Sequence, residues 1–534
     1  MRRDAASFPV VVLAAGAAAI GFAACTLSPA GTNPNATSST VSSGAAGGGT
    51  GGDTGVGGSG GAGSTGASMT GGGGPGGSGG GGEGGSGGGP TSACGGPWAH
   101  RVAQASSAMP SGLAVDSQGN IIEVTGFSGT PHPDLNDPEI EGGSSVLIVK
   151  RDPMGAVLWA KGVDATTGFD AAESVAVGSD DRIFVTGQVS AGTDFGNNPP
   201  NINGPAMFIA GFLPDGTYQF DLQATNSHGH AAAVGTDSLA VAGHATDDVT
   251  IYTPFGPLDV TNYGGGLSDA FVVRVTATSV WARFFGNDDE QRALGVAVQS
   301  NGHVIVGGEF REQIDFGAGN DESAMDQLDG FVAKLDSRNG NGMASASIHG
   351  NTGQSVRAVA VDSADNVIIA GTIQQNITFE NVQLDGNGTQ DILLAKLGPN
   401  LEVEQGNGRW VKRFGGAEPA YATAVHVDVA GTIYLAGYFE GTLDLGDGVT
   451  IAGLGDSFAA FVAAFDPTGK VLFARSFPVN GQDVHATGIA ADGCHNIVVS
   501  GTYGGPLSFG GPALPDESGT DRFIARILPE PPLP

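Results

Sequence analysis

The residues with chemical potential gather at two positions of a pattern that otherwise repeats. One position reads Ser111, Glu173, His230, Leu294, Arg357, Thr423 and Thr487 in successive copies. The position two residues earlier reads Met109, Ala171, His228, Arg292, Ser355, Tyr421 and His485. If both sets ring one opening, Glu173, His228, His230, Arg292, Arg357, Tyr421 and His485 converge there. Imidazoles, guanidiniums, a carboxylate and a phenol in one concavity would suit a small anion, a sugar or a metal. A solvated rim with no ligand is the alternative. His228 and His230 stand two apart and make a weak metal signal, so no metal is assigned.

Other chemistry is scarce. The chain has no H-E-x-x-H, no C-x-x-C and no phosphate-cradling or dinucleotide glycine motif. Gly57-Gly58-Ser59-Gly60-Gly61 fits a hydrolase pattern in letters only, since no strand or helix flanks it. No catalytic residue is assigned, and the protein is not expected to be an enzyme. A hydrolase or lyase at the opening is the lesser alternative. The acidic loop Asp385–Asp391 invites calcium, but an EF-hand needs Gly sixth and Glu twelfth, where Gln390 and Lys396 stand. No cofactor is therefore expected. Asp269, Asp329, Asp391, Asp456 and Asp521 recur ahead of one run, and such repetition argues for a structural task. With 54 Asp+Glu against 22 Lys+Arg and a net charge of -32, the chain lacks the basic surface that nucleic acid requires.

These positions must be held by a repeating scaffold. Its marker is a short apolar run ending in glycine: Gly126, Gly187, Gly243, Gly308, Gly371, Gly437 and Gly501. The seven markers lie 56 to 66 residues apart, the spacing of stacked supersecondary units. Each copy holds an alternating run such as Arg357–Val361, a turn, the marker run, a polar connection, a third run such as Asp329–Asp336 and a fourth with a large aromatic. Period-two alternation between Gly, Asn and Asp turns predicts four antiparallel strands per copy. Trp98, Trp159, Trp281 and Trp410 all fall in the fourth run and read as packing anchors between neighbouring sheets.

The ends predict how the array terminates. The seventh copy lacks a fourth run, and a spare one, beginning at Trp98, precedes the first. A ring closed by the N-terminal strand uses both and removes exposed sheet edges. The fold expected is all-β: a seven-bladed β-propeller of four-stranded antiparallel blades over 94–530, followed by a Pro-rich tail at 531–534. Cys94 precedes the spare strand and Cys494 lies in the first turn of the seventh copy. In a meander those places share one end of one blade, so a Cys94–Cys494 disulfide is expected, two free thiols being the alternative.

Ahead of the propeller, Arg2 and Arg3 lead an apolar run from Phe8 to Ala24, the layout of a secretory signal peptide over 1–24. The placement of Cys25 resembles the lipobox of bacterial lipoproteins, which implies lipidation of Cys25. Residues 25–93 are expected to form a disordered tether, because 28 of the 50 residues in 41–90 are glycine and offer little apolar surface to offset ordering.

The motifs A-V-D-x-x-G-N, D-x-F-[IV]-A-K-L-D and W-A-[KR]-x-F-G resemble the bacterial β-propeller repeats of secreted cell-surface proteins, the SBBP type. Copies two and three depart from that pattern, the former at Ala206 and Gly211. The tether resembles that of lipoproteins of social, predatory delta-proteobacteria. These resemblances imply an outer-membrane-anchored lipoprotein on the extracellular or periplasmic side. Its partners would be the membrane, through the lipid, and a protein or polysaccharide bound without catalysis. A purely structural envelope component is the alternative. Segments 127–144 and 251–268 are expected to be loops suited to contact.

Overall fold

The computed structural model describes Val11–Val12 and residues 96–529, with breaks in several connections, the longest at 130–142. Cys25, the tether, Cys94 and the tail lie outside the described residues. The model is all-β: seven four-stranded antiparallel blades form a propeller ring. The inner strands are Ser111–Val115, Ala171–Val177, Ser227–Val234, Gln291–Val298, Ser355–Val361, Ala420–Val427 and Val484–Ala491. Each lies against the inner strands before and after it, and the seventh returns to the first. The seventh blade runs Val484–Ala491, Ile497–Tyr503, Thr520–Ile527 and then Trp98–Ala105, so the N-terminal strand closes the ring.

The alternation of the sequence maps onto this layering. Second and third strands are covered on both faces by neighbouring blades, and runs such as Val304–Phe310, Asp329–Leu335 and Ala459–Phe465 are buried at every residue. Inner strands keep a half-buried face toward the axis, as in Ser355–Val361. Hydrophobic clusters therefore sit between blades, pairing the sheet of one with the sheet of the next.

The repeated polar letters do specific work. Asp116 Oδ1 accepts from the backbone N–H groups of Gln118 and Asn120 at 2.9 and 2.8 Å, closing the turn between strands one and two. Asp362 and Asp492 close their turns in the same way. The cation of the third strand then pairs with that aspartate: Lys150 with Asp116 at 2.8 Å, Lys396 with Asp362 at 2.9 Å, and Arg526 with Asp492. The aspartate ahead of the third strand pairs across to the fourth, Asp521 with Arg101 at 2.9 Å and Asp391 with Arg413 at 2.7 Å. Asp456 does not belong to this set. The register places Ala459 opposite Phe439, as Asp329 stands opposite Phe310, and Asp456 is exposed three residues earlier.

Every tryptophan donates its indole N–H to a carbonyl in the strand three-to-four turn of the next blade. Trp98 reaches Pro153 at 3.2 Å, Trp159 reaches Pro214 at 3.1 Å, Trp281 reaches Ser337 at 3.0 Å and Trp410 reaches Pro467 at 3.1 Å. The inter-blade packing read from the sequence is thus accompanied by a hydrogen bond. Phe473 holds the equivalent place facing the seventh blade, whose third and fourth strands come from opposite ends of the chain.

Segment 251–268 differs from the loop expected. Val249–Thr253 and Gly256–Val260 form a hairpin that adds to the outer edge of the preceding blade, making a six-stranded sheet. Ile377–Phe379 and Val382–Leu384 do the same one blade pair further on. Both cover an outer strand that would otherwise present unpaired backbone groups.

Candidate functional site

The opening is built by one local device. In six of the seven inner strands the register slips by one residue near the start, a β-bulge that leaves Glu173, His230, Leu294, Arg357, Thr423 or Thr487 as the extra residue. A bulge re-aims its extra side chain. The marker glycine of the second strand permits it. At Gly243 a Cβ would lie 1.8 Å from the carbonyl oxygen of His228, and at Gly437 it would lie 1.9 Å from that of Tyr421. The marker and the variable positions are therefore two sides of one feature. All lie at the ring end where second strands run out into their connections.

The seven predicted residues fall into groups. The tightest joins blades two and three. Glu173 Oε1 accepts from His228 Nε2 at 2.6 Å, and Glu173 Oε2 from His230 Nδ1 at 2.8 Å. His230 Nε2 lies 2.9 Å from His244 Nδ1. The rings of His228 and His230 stack at 4.4 Å, and those of His230 and His244 at 5.1 Å. Burial by itself would raise the Glu173 carboxyl, but the two imidazole hydrogen bonds outweigh it and hold the group at about 2. Burial, helped by the nearby His230, His228 and Arg292, pushes His244 down to about 3.

Arg292, on blade four, pairs with Glu290 at 2.5 Å and with Glu309 at 3.8 Å. Burial raises Glu309 despite Arg357 and Arg292 nearby. Arg357 itself is exposed. Tyr421 and His485 meet through Tyr438, which stacks on Tyr421 at 4.9 Å and meets the His485 ring edge-on at 4.4 Å. Phe458 adds an edge contact to Tyr438 at 5.1 Å. The remaining bulge positions serve the scaffold: Thr487 and Ser111 hydroxyls meet at 2.7 Å across the ring closure, and Thr423 donates to the Ala486 carbonyl at 2.8 Å.

Sequence reading missed His244, Glu309 and Tyr438. Each stands directly opposite a predicted residue, His228, Arg292 and Tyr421 respectively. Their signal was available, because the residue after the marker glycine breaks the repeat as sharply as the two chosen positions do. Glu290 and Phe458 stand outside these repeated positions. On the opposite face Cys494 is disulfide-bonded, and its partner lies outside the described residues.

Fold and site together define a seven-bladed propeller whose non-repeating residues collect at one channel mouth. No protein-family model matches the chain. It is similar to an uncharacterized WD repeat-containing protein of Acanthamoeba polyphaga mimivirus, 23% identical over 533 residues, covering 77% of this chain and 36% of that protein. The chain thus spans about a third of that relative's length. Among solved structures, a fungal alcohol oxidase of the AA5 family in complex with copper shows 13% identity and a TM-score of 0.36, covering 80% of this chain and 76% of its own. A gluconolactonase from Xanthomonas campestris shows 12% identity and a TM-score of 0.28, covering 80% of this chain and 98% of its own. Likenesses this distant carry no inference about activity.

Proposed function

We propose that this chain is a lipid-anchored cell-surface propeller that binds an extracellular polymer at its channel mouth without catalysis. The observation that carries the reading is the contrast at the bulges. A scaffold that repeats turn by turn presents there a set of side chains that do not repeat. Partly exposed Tyr421, Tyr438, Phe458 and His485 beside the exposed guanidinium of Arg357 favour a polysaccharide over a protein, since aromatic faces stack on sugar rings. The SBBP-type repeat resemblance and the similarity to a WD repeat-containing protein support a binding scaffold. The Arg2–Cys25 leader supports attachment through a lipidated Cys25 to the outer membrane, and the glycine-rich tether would set the propeller off from the headgroups by about 45 Å. Among the described residues no helix is long and apolar enough to cross a membrane.

The test is a polysaccharide array probed with the full chain and with Tyr421→Ala and Arg357→Ala. Specific binding that weakens at least about tenfold in both variants is expected. Binding that both variants retain unchanged removes the mouth as the site. Intact mass of the membrane-extracted protein should show acyl mass on Cys25 that Cys25→Ser abolishes.

A further inference from the structure

We infer that His228, His230 and His244 form a binding site for one divalent late first-row cation of the Zn2+ type, with Glu173 as the carboxylate that orients two of the ligands. Each imidazole offers one nitrogen, and the three lie within 4.8 Å of one another. In the sequence only the two histidines of the inner strand stand together, too few to assign a metal. The third comes from the paired second strand, directly opposite His228.

The proton arrangement favours coordination. An ionised Glu173 only accepts, so His228 Nε2 and His230 Nδ1 carry the protons in those two contacts. With both rings neutral, as metal ligation requires, His228 Nδ1 and His230 Nε2 are the lone pairs. A carboxylate that fixes the tautomer of a ligating histidine through its other nitrogen is the usual outer partner of such sites. His230 Nε2 faces His244 Nδ1 at 2.9 Å, a contact that needs one proton between two lone pairs. A cation replaces that proton. With metal–nitrogen bonds of about 2.0–2.1 Å, tetrahedral geometry sets the two nitrogens about 3.3 Å apart, so the rings need part by only about 0.4 Å. Three imidazoles suit Zn2+, Cu2+ or Ni2+ far better than Ca2+ or Mg2+, which prefer oxygen. Arg292, whose charge acts on His244, is itself paired with Glu290 and Glu309.

The side chains of His228 and His230 keep 20% and 17% exposure, so the site opens on the mouth. An ion on three protein nitrogens has a fourth position for a water or a ligand oxygen. The inference rests on the mouth being the working face. It does not depend on which polymer, if any, the mouth binds.

The experiment is titration of ZnCl2 into chelator-treated full chain carrying a histidine-free tag, followed by calorimetry, with the visible absorption of Co2+ as an independent readout of tetrahedral nitrogen ligation. One equivalent is expected to bind. His230→Ala and His244→Ala should each weaken it at least about tenfold, and Glu173→Gln by about 10–100-fold. His303→Ala, in the turn between strands one and two of the fourth blade and so on the opposite face, should bind as the wild type does. Thermal melts of each variant, and His244→Asn as a milder change, separate loss of ligation from loss of fold. Absence of a stoichiometric site in the wild type, or unchanged binding in folded His230→Ala and His244→Ala, overturns the inference. Polymer binding scored on the same preparations reports on the mouth separately, so either reading can fail alone.

Discussion

At the scale of single residues, the buried acids separate into those the fold satisfies and those it strains. Asp391 and Asp521 meet arginines, whereas the hydrogen-bond partner of Asp269 is the neutral Asn262. Burial, eased by an Asn262 hydrogen bond and reinforced by Asp288, pushes the Asp269 carboxyl up to about 6. A carboxyl raised above its unfolded value favours the protonated fold. Its contribution is therefore present below about pH 4 and is lost as pH rises through about 6. Asp269→Asn, which stays neutral, should gain on the wild type by roughly 2 kcal/mol between pH 4 and pH 8. Urea melts at both pH values check this, and an equal difference at the two would refute it. The aspartate repeat was visible in the sequence, but its register was not wholly so. Asp456 mimics the motif through the nearby Phe458, and only strand pairing shows Ala459 in that place.

At the scale of elements, the bulge and the marker glycine stand or fall together. Gly243→Ala would drive a methyl to 1.8 Å from the His228 carbonyl oxygen, so the inner strand must lose its bulge or the second strand must move. A loss of about 2–4 kcal/mol is expected, with the histidine group disordered. Gly353→Ala, where nothing lies within 4 Å, should cost little and serves as the control. The turn glycines that carry the tryptophans behave similarly. Gly469 has φ +81°, and a Cβ there would lie 2.8 Å from the Trp410 ring. Gly469→Ala should lower the melting temperature and lose the Trp410 bond to Pro467, which tryptophan fluorescence would register. Strand order, blade count and the two variable positions could all be read from spacing, because each is a local pattern repeated seven times. The break in the repeat at His244, Glu309 and Tyr438 is legible too, but their facing onto His228, Arg292 and Tyr421 and the edge hairpin at 249–260 could not be read that way. They depend on which strand lies opposite which, and on a neighbouring blade accepting strands from the next.

At the scale of the whole molecule, closure concentrates several contacts in one blade. Trp98 and Arg526 both donate to the Pro153 carbonyl of the first blade, and the Ser111 hydroxyl bridges Thr487 and Ser500 of the seventh. Cys494 is disulfide-bonded on the face opposite the mouth, and the chain's other cysteines are Cys25 and Cys94. Non-reducing peptide mapping should recover Cys94 linked to Cys494, and Cys494→Ser should lower stability by about 2–5 kcal/mol. A Cys25–Cys494 peptide instead would contradict both that pairing and the lipid anchor.

The closing blade also imposes an order in time. Arg101 and Asp521 bond across 420 residues, so the first strand of the propeller to leave the ribosome pairs with the last. Trp98–Ala105 must wait, unpaired and partly apolar, while six blades are synthesised. Contacts so far apart in sequence make completion slow. A chain cut short anywhere before Thr520–Ile527 leaves that early strand without its partner. Closure is thereby tied to completion of the propeller, since only then can its first strand meet its last.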